Sequence, residues 1–247
     1  MQTAPATKFR FLDWDSAHFG LRIGRVIPTT VDQEIVEEAL AWASSGLIDC
    51  MYLLVDSSDA ASIRLAGASG WRMVDIRVTL GANLTHVTED TGGVRAANRQ
   101  DIPYLKQLAR RSHRDSRFYA DGNFSKEACD ELFAAWIERS VGDRGFAGAV
   151  FVAQTDGNLP AGYISCAIKD GLGEIGLIAV DEKCRKTGLG VRLLAESARW
   201  CAAQGAKRIS VVTQGCNIPA LRMYARFQFT IESVQLWFHW WRKPTPG

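Results

Sequence analysis

The stretch Glu174-Ile-Gly-Leu-Ile-Ala-Val180-Asp-Glu-Lys-Cys-Arg185-Lys-Thr-Gly188-Leu-Gly190-Val-Arg-Leu-Leu-Ala-Glu-Ser-Ala-Arg-Trp-Cys201 decides how the chain folds. Ile175 to Val180 is a short run rich in branched residues, which reads as a buried strand. Further on, Val191, Leu194, Ala198 and Cys201 recur at spacings of three, four and three, which lays one apolar face along a helix and leaves Arg192, Glu196 and Arg199 off it. Between them lies Arg185-Lys-Thr-Gly188-Leu-Gly190. A loop of this kind ahead of a helix turns backbone N–H groups toward one point, its glycines remove Cβ atoms that would block a bulky anion, and the positive end of the helix dipole faces the same place. Such a site suits a pyrophosphate, and Arg185 and Lys186 add charge to it. The same residues also fit an ordinary strand-to-helix turn with solvated charges, so the rest of the chain must decide.

Composition narrows the classes. The 247 residues, 47% hydrophobic and 23% charged, suffice for one or two globular domains. A formal charge of +2 without a block of like charges argues against a nucleic-acid surface. Cys50, Cys129, Cys166, Cys184, Cys201 and Cys216 show no C-x-x-C pairing and sit mostly in apolar runs, so they read as reduced core thiols rather than metal ligands. The N-terminal Met1-Gln-Thr-Ala-Pro-Ala-Thr7 lacks the charged-then-apolar pattern of a leader, and no apolar run reaches the length of a membrane span. The expectation is a cytoplasmic protein with no metal, membrane or nucleic-acid partner.

Outward from the central stretch, the N-terminal residues read as a small α/β unit. Strands are expected around Phe9 to Phe11 and Leu21 to Val26, joined by Trp14-Asp-Ser-Ala-His-Phe-Gly20, and a helix over about 31–45 opened by a Thr30/Gln33 capping box. Cys50 to Val55 reads as a buried strand, Asp59 to Ala68 as a short helix, and Trp71 to Leu80 as an alternating strand. Gly81 to Gly93 is the candidate linker, which divides the chain into 1–90 and 91–247. Beyond it come a strand at Val94 to Ala97, a helix from Ile102, a polar loop over Arg110 to Phe124, and a helix capped by Ser125. Ala147 to Gln154 and Ala161 to Ile168 flank Asp156-Gly-Asn158 as an antiparallel hairpin. After the central stretch follow a strand at Arg208 to Thr213, Gln214-Gly-Cys-Asn217 leading into a short helix, and an aromatic strand at Ile231 to Trp241. In that last strand Val234, Leu236, Phe238 and Trp240 alternate with Ser233, Gln235 and His239, which predicts a half-buried strand with His239 at its surface or rim. Pairing of two copies through this terminal strand would give a homodimer.

Three features in order make the second half resemble the GNAT superfamily of acyl-CoA-dependent N-acyltransferases: the Ile178-Ala-Val180 strand, the Arg185-x-x-Gly188-x-Gly190 loop opening a helix, and Asn217-x-x-Ala220-x-x-x-Tyr224 after the next strand. The resemblance implies an α/β fold whose mixed, mostly antiparallel sheet splays open, with acetyl-CoA or another acyl-CoA as co-substrate. It implies main-chain contacts to the cofactor from Ile178, Ala179 and Val180, and a pyrophosphate lined by Arg185, Lys186, Thr187, Gly188, Leu189, Gly190 and Val191. Trp14-Asp-Ser-Ala-His-Phe-Gly20, Asp115-Ser-Arg-Phe118, Gly176-Leu-Ile-Ala-Val180 and the Thr-Gln-x-x-Asn ending at Asn217 are similar to the bacterial dTDP-fucosamine acetyltransferase group. That group acetylates a nucleotide-linked 4-amino-4,6-dideoxyhexose for surface polysaccharide and carries an N-terminal α/β unit ahead of the GNAT domain. The chain departs from the family at Lys186, where glycine often follows the loop arginine, and at Gln228-Phe229, where Gly-Phe is usual.

Acyl transfer from a thioester needs a neutral amine, a polarised carbonyl and a stabilised thiolate. Val180 is the candidate N–H donor to the thioester oxygen. Tyr224 is the candidate acid for the leaving sulfur, or a ring packed on the sheet with its hydroxyl satisfied locally. Asn217 would orient cofactor amides or cap the helix. Glu174 is the candidate base: strand alternation puts it on the face of Gly176, Ile178 and Val180, although a solvated strand-end carboxylate fits as well. His113, His18, Arg117 and Tyr119 are candidate acceptor contacts, since arginine pairs with phosphate and tyrosine stacks on a base or sugar. Two other functions stay open: a GNAT acting on another amine such as an antibiotic, polyamine or peptide, and a CoA-binding module without catalysis.

Overall fold

The computed structural model describes residues 7–84, 91–154 and 159–243. The expected turn at Asp156-Gly-Asn158 and the middle of the expected linker lie outside the described residues. Contacts divide the chain into a unit of residues 1–77, 116–124 and 233–247 and a unit of residues 78–115 and 125–232. The segments 116–124 and 233–247 therefore group with the N-terminal strands, not with the C-terminal stretch in which the sequence expectation put them.

The first unit holds strands β1 (Phe9–Phe11), β2 (Ile23–Val26) and β3 (Cys50–Asp56), the start of β4 (Arg72–Asn83) and most of β10 (Thr230–Trp241). β1 and β2 are antiparallel, β2 and β3 parallel, and β3 and β10 antiparallel from Gln235↔Asp56 to Trp241↔Cys50. One face of this sheet, with Val26, Met51, Leu53, Val55 and Phe238, packs against Val36, Ala39 and Ala43 of helix α2 (Gln33–Ser45) and Ala66 of α3 (Ala60–Ala68). Asp32, not Thr30, caps α2, its carboxylate accepting from the N–H of Ile35 at 2.9 Å. The stretch after Leu12 is helical, as α1 (Asp13–Phe19), and ends on Gly20 at φ 65°. β10 lies between β3 and β4, which overturns two expectations. His239 is 1% exposed rather than at a rim, and the terminal strand has no free edge to offer a second copy.

The expected polar loop over 110–124 is also corrected. It contains α5 (Arg117–Asp121), whose Phe118 and Asp121 are buried. The ionised Asp121 is satisfied by Arg72 at 2.9 Å, Asn123 at 2.6 Å, the Trp241 indole at 2.9 Å and His239 Nδ1. Burial pushes this carboxyl up, but the bonds from His239 and Trp241 outweigh it and hold the group at about 2.

The second unit is built on strands β5 (Val94–Ala96), β6 (Ala149–Gln154), β7 (Pro160–Lys169), β8 (Leu172–Val180) and β9 (Arg208–Gln214), in the order β9-β8-β7-β6-β5. All its recorded pairings are antiparallel except the parallel β8–β9 pair, so the sheet is mixed. On one face Ile164, Cys166, Ile175 and Ile209 form a core with Leu193, Leu194, Ala198 and Cys201 of α7 (Leu189–Ala203) and Tyr224 of α8 (Ile218–Arg226). Helix α4 (Ile102–Ser112) packs on β7 and β8, and α6 (Lys126–Gly142) on β6. Among the described residues, no helix is long and apolar enough to cross a membrane.

Candidate active site

The site grows from an irregularity in β8. Ile164 pairs with Ile178 and Cys166 with Ile175, so two residues of β8, Gly176 and Leu177, stand opposite Ser165 alone. The Ser165 hydroxyl accepts the Leu177 N–H at 2.9 Å, and a Cβ on Gly176 would sit 2.9 Å from that oxygen. Glycine is what lets the strands approach here. The extra residue reverses the alternation beyond it. Ile178 and Val180 join the α7 core, whereas Glu174, opposite Ala167, stays on the other face with Tyr163. The expectation that Glu174 shares a face with Ile178 and Val180 is thereby corrected, because strict alternation cannot foresee a bulge.

Beyond the bulge β8 also leaves its other neighbour. Its register with β9 covers Gly173↔Ile209, Glu174↔Ser210 and Ile175↔Val211 and does not continue to Val180. The Asp181 N–H donates to Ala161 O at 2.7 Å, so Asp181 and Ala179 turn their main chain toward β7 and the alternate residues Ile178 and Val180 turn theirs to the opened side. Within this opening the Val180 carbonyl takes a long bond from Arg185 Nε, at 3.4 Å. An extended amide-bearing chain laid here would find the donors and acceptors of a missing strand.

The loop after β8 opens α7 without a protein cap. Lys186 and Gly188 both have positive φ, 65° and 86°, which concentrates N–H groups in one concavity. Gly188 stands at the N-cap, no side chain caps the helix, and its first turn contains no acid. A Cβ on Gly188 would meet nothing within 4 Å, whereas one on Gly190 would meet Met223 Sδ at 2.9 Å. Gly188 thus serves the backbone bend and the open space, and Gly190 the close approach of α8. Thr187 Oγ1 donates to Cys184 O at 2.7 Å and braces the loop. These features fit an incoming diphosphate.

Tyr224 projects from α8 into the core, 2% exposed, with its ring 5.5 Å from that of Phe229. Burial pushes its phenol well above the ordinary value, so it keeps its proton at neutral pH and can serve as a donor. Asn217 caps α8, its amide oxygen accepting from Ala220 N at 3.2 Å.

The acceptor-side candidates separate. His113 ends α4 with its Nε2 2.8 Å from the Tyr163 hydroxyl and its ring stacked on Phe133, and burial lowers it to about 4, which makes it a neutral packed residue. His18, Arg117 and Tyr119 belong to the first unit. There His18 stacks on Trp14 at 5.3 Å, and the Arg117 guanidinium lies 4.5 Å from the Tyr52 ring. No motif marks Ser165 or Tyr163 in the sequence; the only prior signal was Gly176 inside a strand, a hint of a bulge. Among the described residues, no group of three or more His, Cys, Asp or Glu is placed to hold a metal ion.

A bulged strand parting from its parallel neighbour beside an uncapped, glycine-opened helix defines an acyl-CoA-type transferase fold, and the acetyltransferase (GNAT) family profile matches residues 104–229. The chain belongs to that family; it is an N-acetyltransferase, and acetyl-CoA is the donor the family uses. Over 230 residues it is 27% identical to a protein of Escherichia coli O6:H1 (strain CFT073) named dTDP-fucosamine acetyltransferase, covering 92% of this chain and 96% of that one. It is 28% identical over 141 residues to spore coat polysaccharide biosynthesis protein SpsD of Bacillus subtilis (strain 168), covering 57% of this chain and 48% of that one. A GCN5-related N-acetyltransferase from Sphaerobacter thermophilus shares the fold at a TM-score of 0.66 and 15% identity, covering 96% of this chain and 77% of the other.

Proposed function

We propose that this N-acetyltransferase acetylates the amino group of a dTDP-linked amino-dideoxy sugar. The observation that carries this reading is the extent of the likeness to the dTDP-fucosamine acetyltransferase: it runs over 92% of this chain and so takes in the N-terminal unit as well as the family region.

In this reading Ile178, Ala179 and Val180 receive the pantetheine along the opened side of β8, and the loop from Arg185 to Val191 receives the pyrophosphate. Asn217 orients cofactor amides from the start of α8. The Val180 N–H faces the thioester oxygen, where a fixed donor stabilises developing negative charge. Tyr224 supplies a proton or hydrogen bond to the departing sulfur. Glu174 acts from the α4 face of the sheet as the base for the acceptor amine, directly or through water.

The test is acetyl transfer to dTDP-linked 3-amino and 4-amino 6-deoxyhexoses set beside polyamine, aminoglycoside and peptide amines. Product with a nucleotide sugar alone is expected; product with another amine and none with the sugars would overturn the assignment. Tyr224→Phe is expected to lower turnover by about a hundredfold or more with little effect on acetyl-CoA affinity. Equal losses in both would remove Tyr224 from the acid role.

A further inference from the structure

The second face of the first unit's sheet carries polar side chains that acyl transfer does not use. Arg10 on β1 stands opposite Arg25 on β2, Arg25 opposite Tyr52 on β3, and Tyr52 opposite His239 on β10. Directly paired residues share a face, so these four form one line across the sheet, with Trp237 two residues along β10 on the same side. Over this line lies Arg117 of α5, its guanidinium 4.5 Å from the Tyr52 ring and 4.4 Å from the Trp237 ring. Arg25 reaches the Trp237 ring from 5.2 Å. The aromatic rings hold both guanidinium planes in place.

One acid faces this cluster: Asp15 lies against Arg117 and takes a bond from the Tyr52 hydroxyl, so several guanidinium groups share a single carboxylate. Burial, then Arg117, Arg10 and Arg77, hold Arg25 below its ordinary value, and Asp15 is the acid that opposes them. Among the described residues, Arg25 Nε and Arg117 Nε are buried with no hydrogen-bond partner. Buried donors are normally satisfied, and crowded guanidinium groups are normally neutralised. What would meet both demands is an anion with several acceptor oxygens.

We propose that this face of the first unit is a diphosphate site, in which Arg25, Arg117 and the outlying Arg10 pair with the phosphates of a nucleoside diphosphate. The inference rests on the nucleotide-sugar reading for the identity of the ligand, and it gives the N-terminal unit a chemical task, that of holding the acceptor's nucleotide end. Coenzyme A also contains a diphosphate, so the shared chemistry has two sources, of which the acceptor is the one assigned here.

The experiment is calorimetric titration of the full chain with dTDP, inorganic pyrophosphate and coenzyme A, using Arg10→Gln, Arg25→Gln and Arg117→Lys, each checked by thermal unfolding. Arg25→Gln and Arg117→Lys are expected to weaken dTDP and pyrophosphate by about tenfold, and the exposed Arg10→Gln, which puts the fold at little risk, by a few-fold, with coenzyme A held within about twofold. Unchanged dTDP affinity in folded Arg10→Gln and Arg25→Gln, absence of dTDP and pyrophosphate binding to the unsubstituted chain, or an equal loss for coenzyme A would each overturn the site. Arginine-dependent dTDP binding without acetylation of any dTDP-linked amine would keep the site and overturn the nucleotide-sugar reading. Acetylation of such an amine with unchanged KM in all three variants would do the reverse.

Discussion

The main-chain N–H of Leu177 donates to the side chain of Ser165, 2.9 Å away and buried, rather than to a carbonyl of the neighbouring strand. This bond holds the extra residue of β8, and with it the turn of Ile178 and Val180 away from the face of Glu174. Ser165→Ala leaves the Leu177 donor unsatisfied in the core, which is expected to cost about 1–3 kcal/mol of stability and to weaken acetyl-CoA binding. Urea unfolding and calorimetry measure both; unchanged values would mean that the bulge stands without the hydroxyl.

Gly188 combines a φ of 86° with the N-cap of a helix whose first turn has no acid. Gly188→Asp adds a Cβ at a left-handed position and a negative charge where a diphosphate is proposed to lie. Acetyl-CoA affinity should fall by about tenfold or more, while the fold survives because a Cβ there meets nothing within 4 Å. Full affinity in the variant would move the diphosphate elsewhere.

Gln228 ends α8 at φ 62°, with its own N–H on Ala225 O at 3.1 Å and that of Phe229 on Tyr224 O at 3.0 Å. This is a left-handed helix stop, best served by glycine. Gln228→Gly should raise stability by about 0.5 kcal/mol, the relief of backbone strain exceeding the added freedom of the unfolded chain. A lower urea midpoint would show that the glutamine side chain makes a compensating contact.

His113 and His239 are both lowered to about 4 by burial, against an ordinary 6.5. Between those values the unfolded chain binds protons that the folded chain refuses, so stability is full above about pH 6.5 and is lost as pH falls toward 4. For His239, 1% exposed, the loss is on the order of 3 kcal/mol at most. Asp121, held at about 2, gives way only at lower pH. Unfolding temperatures should therefore decline from pH 7 to pH 4.5, with a shallower slope in His239→Gln; a flat profile would contradict the burial of neutral imidazoles.

The fold was legible where one period ruled a segment. The apolar stripe of α7, the capping Ser125 and the strand Cys50–Asp56 follow from local spacing alone. Lys186 and Gln228, which depart from the glycines usual in the resembled family, keep the left-handed backbone those glycines would serve. What stayed hidden needed a partner distant in sequence. Glu174 changed face because two residues oppose Ser165, and no periodicity within β8 announces that. His239 read as a rim residue because strand alternation does not show that β10 lies between two strands or that Asp121, 118 positions away, is its partner. The arginine line across the first sheet is a product of register, with Arg10, Arg25 and Tyr52 each unremarkable in its own strand.

The most direct test of the central claim is thiol release from acetyl-CoA in the presence of a dTDP-linked 4-amino-4,6-dideoxyhexose, with mass spectrometry of the sugar nucleotide. The account predicts one thiol released for each acetyl group found on the sugar's nitrogen. Bound acetyl-CoA with no thiol released for any dTDP-linked amino sugar would contradict it.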